Sequence, residues 1–355
     1  MKRAKLIVIL IAVIFCIAFA FSACSGRTAD TGETDIGGYE PPVTDTPGLD
    51  DTPSDDDEQT PPTDGDETDD GGYMPPPEEG QEVPEGTPSA DMAVPTPSER
   101  QTILLWNENN IPAYNQSYQH SSADPDDFIP YIESYPAQGE IKGALLICPG
   151  GAFAYRSMQS EGYSVAEQLS RRGYQCFVVS YRLRPYSQEV SALDLARAVR
   201  YVRHNAAAYG IAENDIAVVG FSAGGILCGE LLLHNDGYLL PDEIDANYTP
   251  DALDYVSAEA QAIGHIYSFY GRLSVSDNDV ETLRQGDLPP TFYAYGTRDP
   301  FYRQFIQNAD AVREAGVPVE EHVFENVGHG FGAGNANCNW IPSFDGFLTA
   351  IFENN

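Results

Sequence analysis

The chain has 355 residues, with 54 acidic against 19 basic side chains and a formal charge of −35 at neutral pH. That balance excludes an electrostatic grip on nucleic acid or on anionic membrane surfaces, so no nucleic-acid partner is expected. The charge divides into +3 over residues 1–24, −20 over 25–98 and −18 over the rest, which separates a leader, a tether and a domain long enough for a full core.

Lys2, Arg3 and Lys5 precede an apolar run from Leu6 to Phe21, and Ser22-Ala23-Cys24 follows. A basic start, an apolar middle and small residues before a cut define an export signal over residues 1–23. Phe21-Ser22-Ala23-Cys24 resembles the bacterial lipobox, with phenylalanine where leucine is commoner. The resemblance implies lipidation of Cys24 and a membrane anchor. An uncleaved span is the alternative, although 16 apolar residues are short for one. In either case the positive-inside rule puts the remainder outside the cytoplasm.

Residues 24–98 read as a linker. From residue 25 onward they hold 21 acidic residues, one basic residue (Arg27) and 13 of the 26 prolines. Such a segment buries too little apolar surface to offset ordering entropy, so disorder is expected. The acidic runs lack a 12-residue loop with a closing glutamate and are not read as calcium sites.

From residue 99 to 355, short apolar runs alternate with helical patterns. Strands are predicted at 144–148, 175–181, 216–219, 262–270, 291–295 and 319–324. Helices are predicted at 164–172, 191–207, 226–233, 303–315 and 344–352. In the second helix Leu195, Val199, Val202 and Ala206 form one stripe, and Gly210 is expected to close it in a left-handed cap. The alternation predicts an α/β domain with a doubly wound, mostly parallel sheet. Residues 101–135 carry a weaker signal for an antiparallel opening.

Ile216 to Val219 runs directly into Gly220-Phe221-Ser222-Ala223-Gly224-Gly225, and a helical pattern leaves it. Gly-x-Ser-x-Gly between strand and helix is a nucleophile elbow, holding the Ser222 hydroxyl at the top of a sheet. Upstream, the strand at 144–148 ends in Pro149-Gly150-Gly151-Ala152-Phe153, where adjacent glycines admit close backbone approach. The oxyanion donors are expected to be the N–H of Ala223 and that of Gly151 or Ala152. Downstream, Asp299 follows the strand at 291–295, and His329 follows the one at 319–324 between two glycines. Ser222, Asp299, His329 is the chain order this arrangement requires.

The competitors fit less well. Asp277, Asp279 and Asp287 lie in a polar stretch. His265 falls in an apolar run and reads as a satisfied core side chain; His120, His204, His234 and His322 lack the post-strand loop. Cys148, Cys176 and Cys228 read as small core residues, Cys338 as a loop residue, and no pairing is favoured. Trp106, Tyr155 and Trp340 are the candidates for a sugar-stacking rim, with packing as the alternative.

From about residue 100 onward the chain resembles α/β-hydrolase-fold esterases and lipases, closest to the acetyl xylan esterase and bifunctional feruloyl/acetyl esterase group. The similarity lies in Ile147 to Phe153, Ser160-Glu161-Gly162, Val178 to Pro185, Asp215 to Gly225 and Gly328 to Phe331. Proline stands in the histidine place of the family's His-Gly-Gly-Gly loop, and Ala152 in its third-glycine place. The resemblance implies a serine esterase that removes short acyl groups, acetyl above all, from carbohydrate by a Ser-His-Asp mechanism, with no cofactor or metal. A general small-ester carboxylesterase and a non-catalytic binding scaffold are the alternatives. The linker is then expected to lift an enzyme off the membrane toward a bulky substrate.

Overall fold

The computed structural model describes residues 83–353 apart from 91, 115–122, 126 and 236–238. The leader, Cys24 and most of the linker lie outside these residues, as does His120.

Eight strands form the central sheet: β1 (Thr102–Leu104), β2 (Tyr131–Tyr135), β3 (Gly143–Cys148), β4 (Tyr174–Ser180), β5 (Ile216–Phe221), β6 (Ala262–Ile266), β9 (Thr291–Gly296) and β10 (Val319–Phe324). Between β6 and β9 a two-stranded ribbon intervenes, β7 (Gly271–Arg272) and β8 (Val275–Ser276). The sheet order is β1-β2-β4-β3-β5-β6-β9-β10. From β4 to β10 every pairing is parallel, and β1 and β2 add the antiparallel opening. Strands covered on both faces read as unbroken apolar runs, and every residue of β3, β4, β5 and β9 is buried.

The pleat of β6 shows how helices cover both faces. Successive strand residues point to opposite sides. A Cβ added at Gly264 would meet Phe344 of the helix Ile341–Phe352, whereas the next residue, His265, lies against Gly229 of the helix Ala223–Asn235. Gln188–His204 packs beside the latter helix, and Ser164–Ser170 beside the former.

Several boundaries differ from expectation, each for a local reason. The long helix starts at Gln188 because the Ser187 hydroxyl accepts from the Val190 N–H. It ends at His204, and a separate turn Ala206–Tyr209 closes on Gly210, left-handed at φ 69°. The last helix begins at Ile341, with a proline in its first turn where no N–H is needed. The strand expected over 262–270 stops at Ile266, because Tyr267 turns to φ 40°.

The domain also begins before residue 99. Ala252 donates its N–H to Pro88 O at 2.9 Å, the Tyr201 hydroxyl donates to Ala93 O at 3.1 Å, and Ala90 and Met92 pack on the core. Composition placed this segment in the linker; the Met92 sulfur nevertheless lies 3.9 Å from the Arg197 guanidinium. Trp106 and Trp340 are buried, their indole N–H groups donating to Asp194 and Gly332 O. Of the three rim candidates only Tyr155 is exposed, at 38%. Cys148, Cys176, Cys228 and Cys338 are all free and buried.

His265 is buried, as expected, but it is not satisfied. Among the described residues neither ring nitrogen has a hydrogen-bond partner, and the ring stacks on Tyr293 and meets Tyr270 edge-on. Burial disfavours the charged ring and lowers its pKa to about 3. Between that value and the ordinary 6.5 the unfolded chain binds the proton and the fold does not. This term therefore adds stability above pH 6.5 that is lost as the pH falls toward 3, at a limiting slope of about 1.4 kcal/mol per pH unit. Urea unfolding of His265→Phe is expected to lose less stability between pH 7 and pH 5 than the parent. Identical pH dependence in the two proteins would contradict it.

Candidate active site

The end of β5 creates the site. Ser222 sits at φ 49°, a left-handed conformation for a non-glycine residue. Its N–H donates to Ile266 O at 3.1 Å, and its carbonyl accepts from Gly225, Ile226 and the Ser268 hydroxyl. The glycines are steric necessities. A Cβ at Gly220 would fall on the Gly224 carbonyl, and one at Gly224 on the carbonyl of Cys148 in β3. The turn therefore packs backbone on backbone and leaves the serine side chain projecting.

The structure brings Ser222, Asp299 and His329 together. His329 Nε2 lies 2.9 Å from Ser222 Oγ, and Nδ1 lies 2.7 Å from Asp299 Oδ2. Asp299 Oδ1 accepts from the Phe301 N–H at 2.9 Å, and the aspartate side chain is fully buried. Because a carboxylate only accepts, Nδ1 must carry the ring proton, and Nε2 is left to accept from the serine hydroxyl. The loops bearing acid and base are stitched together where Arg298 donates its N–H to Val327 O. Tyr267 and Phe301 flank the imidazole at 4.8 and 5.8 Å between ring centroids.

The loop after β3 faces the same point. Gly151, Ala152 and Phe153 have φ of 132°, 54° and 55°, a strained run held from outside. The Tyr181 hydroxyl donates to Pro149 O at 2.6 Å, the Arg184 N–H to Phe153 O at 2.8 Å, and the Arg184 guanidinium to Ala152 O. Among the described residues, the N–H groups of Gly151, Ala152 and Ala223 make no hydrogen bond. Gly150, by contrast, donates its N–H to Glu161 Oε2 at 2.7 Å.

Glu161 has no role in the sequence reading beyond its part in the resemblance. It is buried on a single π-helical turn, Met158–Tyr163, an insertion frequent at functional sites. Its other oxygen accepts from the Tyr267 hydroxyl at 2.8 Å. Burial raises its pKa, while the bonds from Tyr267 and Gly150 and the nearby His329 oppose the rise. A single acid among polar neighbours gave no signal of this.

The competing residues stand elsewhere. Asp279 accepts from the Thr282 N–H as the cap of Val280–Gln285, His322 pairs with Glu320 on the sheet edge, and His204 is exposed in the last turn of its helix. Beside Ser222 lies a recess of about 230 Å³, open solvent at its mouth included, walled by Ile226, Tyr267, Phe269, Leu273 and Phe301.

The profile of a family described as alpha/beta hydrolase fold matches residues 145–333. An acetylxylan esterase of Xylanibacter ruminicola is 28% identical over 218 residues, covering 58% of this chain and 43% of that protein. Endo-1,4-beta-xylanase B of Butyrivibrio fibrisolvens is 28% identical over 266 residues, covering 69% of this chain and 40% of its own length. The chain thus spans less than half of these curated relatives. An acetyl ester-xyloside bifunctional hydrolase of Caldicellulosiruptor lactoaceticus superposes with a TM-score of 0.54 at 24% identity, over 76% of this chain and 98% of that one. At that identity the likeness speaks for the fold.

Proposed function

The chain belongs to the alpha/beta hydrolase fold family, and from that premise we propose that it is a serine esterase removing short acyl groups, acetyl above all, from carbohydrate. The observation that carries this reading is the continuous hydrogen-bond line Ser222–His329–Asp299 beside three unengaged N–H groups. A serine hydroxyl is a weak nucleophile at neutral pH, so His329 takes its proton as Oγ attacks the ester carbonyl. Asp299 holds the tautomer and stabilises the imidazolium that forms. The N–H groups of Ala223 and of Gly151 or Ala152 receive the oxyanion, each worth about 3–4 kcal/mol. His329 then returns the proton to the leaving alcohol, and water repeats the cycle on the acyl-enzyme. No step requires a cofactor or metal.

The carbohydrate part rests on the acetylxylan esterase and xylanase relatives and on Tyr155. A Cβ at Gly151 would meet the Tyr155 ring, which places that exposed aromatic against the oxyanion loop. Aromatic faces suit pyranose rings, apolar on one side and polar at the edge. The small recess beside Ser222 suits a short acyl group. In a p-nitrophenyl series from acetyl to octanoyl, activity is expected to fall steeply beyond butyryl. Tyr155→Ala is expected to raise KM for acetylated xylo-oligosaccharides about tenfold while leaving p-nitrophenyl acetate within about twofold, as the loss of about 1.4 kcal/mol implies. Equal effects on both substrates would remove the sugar-platform role.

For residues 1–82 the reading rests on sequence alone: export, lipidation at Cys24 and an acidic tether that holds the enzyme off a membrane. Loss of membrane association in a Cys24→Ala variant would support it; unchanged association would count against it.

A further inference from the structure

We propose that Glu161 is a positioning residue of the esterase, a clamp that fixes the oxyanion loop and the histidine loop in one register. The assignment rests on the esterase reading of the same site. Two separate chain segments bond this carboxylate directly, and a third reaches it through Tyr267. Through Oε2 it holds the Gly150 N–H at 2.7 Å, which takes that N–H out of the set open to an oxyanion. The following residues, Gly151 and Ala152, then turn through positive φ with their N–H groups unengaged. The approach is close on both sides: a Cβ at Gly150 would meet Glu161 Oε2 at 2.9 Å and Ser222 Cβ at 3.0 Å.

Through Oε1 the same carboxylate holds the Tyr267 hydroxyl at 2.8 Å. That hydroxyl accepts in turn from the Gly332 N–H at 3.2 Å, three residues beyond His329. The Tyr267 ring packs edge-on against His329 at 4.8 Å and Phe331 at 4.6 Å. The π-helical turn adds a direct stitch, since Ala333 donates its N–H to Ser160 O at 3.1 Å. A regular α-helix would rotate residue 161 relative to its neighbours, and the extra residue of the turn is what sets the carboxylate between loop and tyrosine. A hydrophobic side chain could fill this space but could not orient an N–H and an O–H at once.

The link from geometry to rate is the sensitivity of reacting groups to small displacements. A shift of about 1 Å can cost a hundredfold, and one oxyanion donor out of place costs about 10²–10³ in kcat. With the full chain and p-nitrophenyl acetate, Glu161→Ala is expected to lower kcat about a hundredfold with KM changed less than threefold. Inhibition by a trifluoromethyl ketone, whose adduct places an oxyanion in the hole, should weaken by the same factor as kcat/KM. Glu161→Gln keeps an acceptor for Gly150 and a polar partner for Tyr267, and is expected to recover kcat to within about tenfold of the parent.

The assignment is overturned if Glu161→Ala keeps kcat within threefold, if KM alone changes, or if Glu161→Gln, folded by circular dichroism, is as slow as the alanine variant. Should Glu161→Ala fail to fold, the glutamine variant decides through the ketone: retained inhibition supports the clamp, and lost inhibition overturns it. A parent protein without ester turnover would sink the esterase reading, and the clamp with it; an active parent beside an equally active Glu161→Ala would sink the clamp alone.

Discussion

Replacing Ser222 by alanine is expected to lower kcat for p-nitrophenyl acetate about a millionfold, with KM nearly unchanged. The size follows from losing the covalent route outright: without Oγ, His329 has no nucleophile to deprotonate, and only the amide hole and binding remain. The side chain projects from a turn made by backbone packing, so removing one oxygen leaves the elbow intact. Unfolding midpoints of the two proteins should therefore agree closely. A Ser222→Ala protein retaining a hundredth of the parent rate would place the nucleophile elsewhere.

Asp299→Asn is expected to cost about 10⁴ in kcat. Both oxygens of Asp299 accept, Oδ1 from the Phe301 N–H and Oδ2 from His329 Nδ1. An asparagine amide presents one acceptor and one donor. With its NH₂ toward His329, Nδ1 must accept, the ring proton moves to Nε2, and the base that should take the serine proton is lost. With the amide reversed, NH₂ faces the Phe301 N–H, and two donors oppose each other in a fully buried position. The residual rate should rise with pH as hydroxide replaces the missing base, measured as kcat between pH 7 and pH 10. A loss of less than tenfold would show that the aspartate does not set the tautomer.

Much of the site was legible because its constraints are local. The glycines around Ser222 are demanded by contacts within five residues and by the strand beside them. Asp299 follows the buried run Thr291–Gly296, and His329 follows the alternating edge strand Val319–Phe324. The parallel core was legible because strands buried on both faces are mostly apolar, with a few buried polar residues such as Gln175, Ser180 and Thr291 among them. What stayed hidden depends on distant partners. Glu161 acquires its place only when Gly150 and Tyr267, 106 residues away, fold against it. Pro88, Met92 and Ala93 looked like linker because their partners, Ala252, Arg197 and Tyr201, lie more than a hundred residues away in sequence. His265 read as a satisfied core histidine, yet its neighbours are the faces and edges of tyrosine rings, which offer its nitrogens nothing. The end of β6 at Tyr267 was missed because the turn serves the site and leaves an apolar run unbroken in sequence.

Acetate released from acetylated xylo-oligosaccharides by the full chain, beside Ser222→Ala, bears most directly on the carbohydrate esterase. Release by the parent at a kcat/KM above that for p-nitrophenyl acetate, abolished in the variant, is the expected result. Release that persists in Ser222→Ala, or a parent inert toward the oligosaccharides, would contradict it.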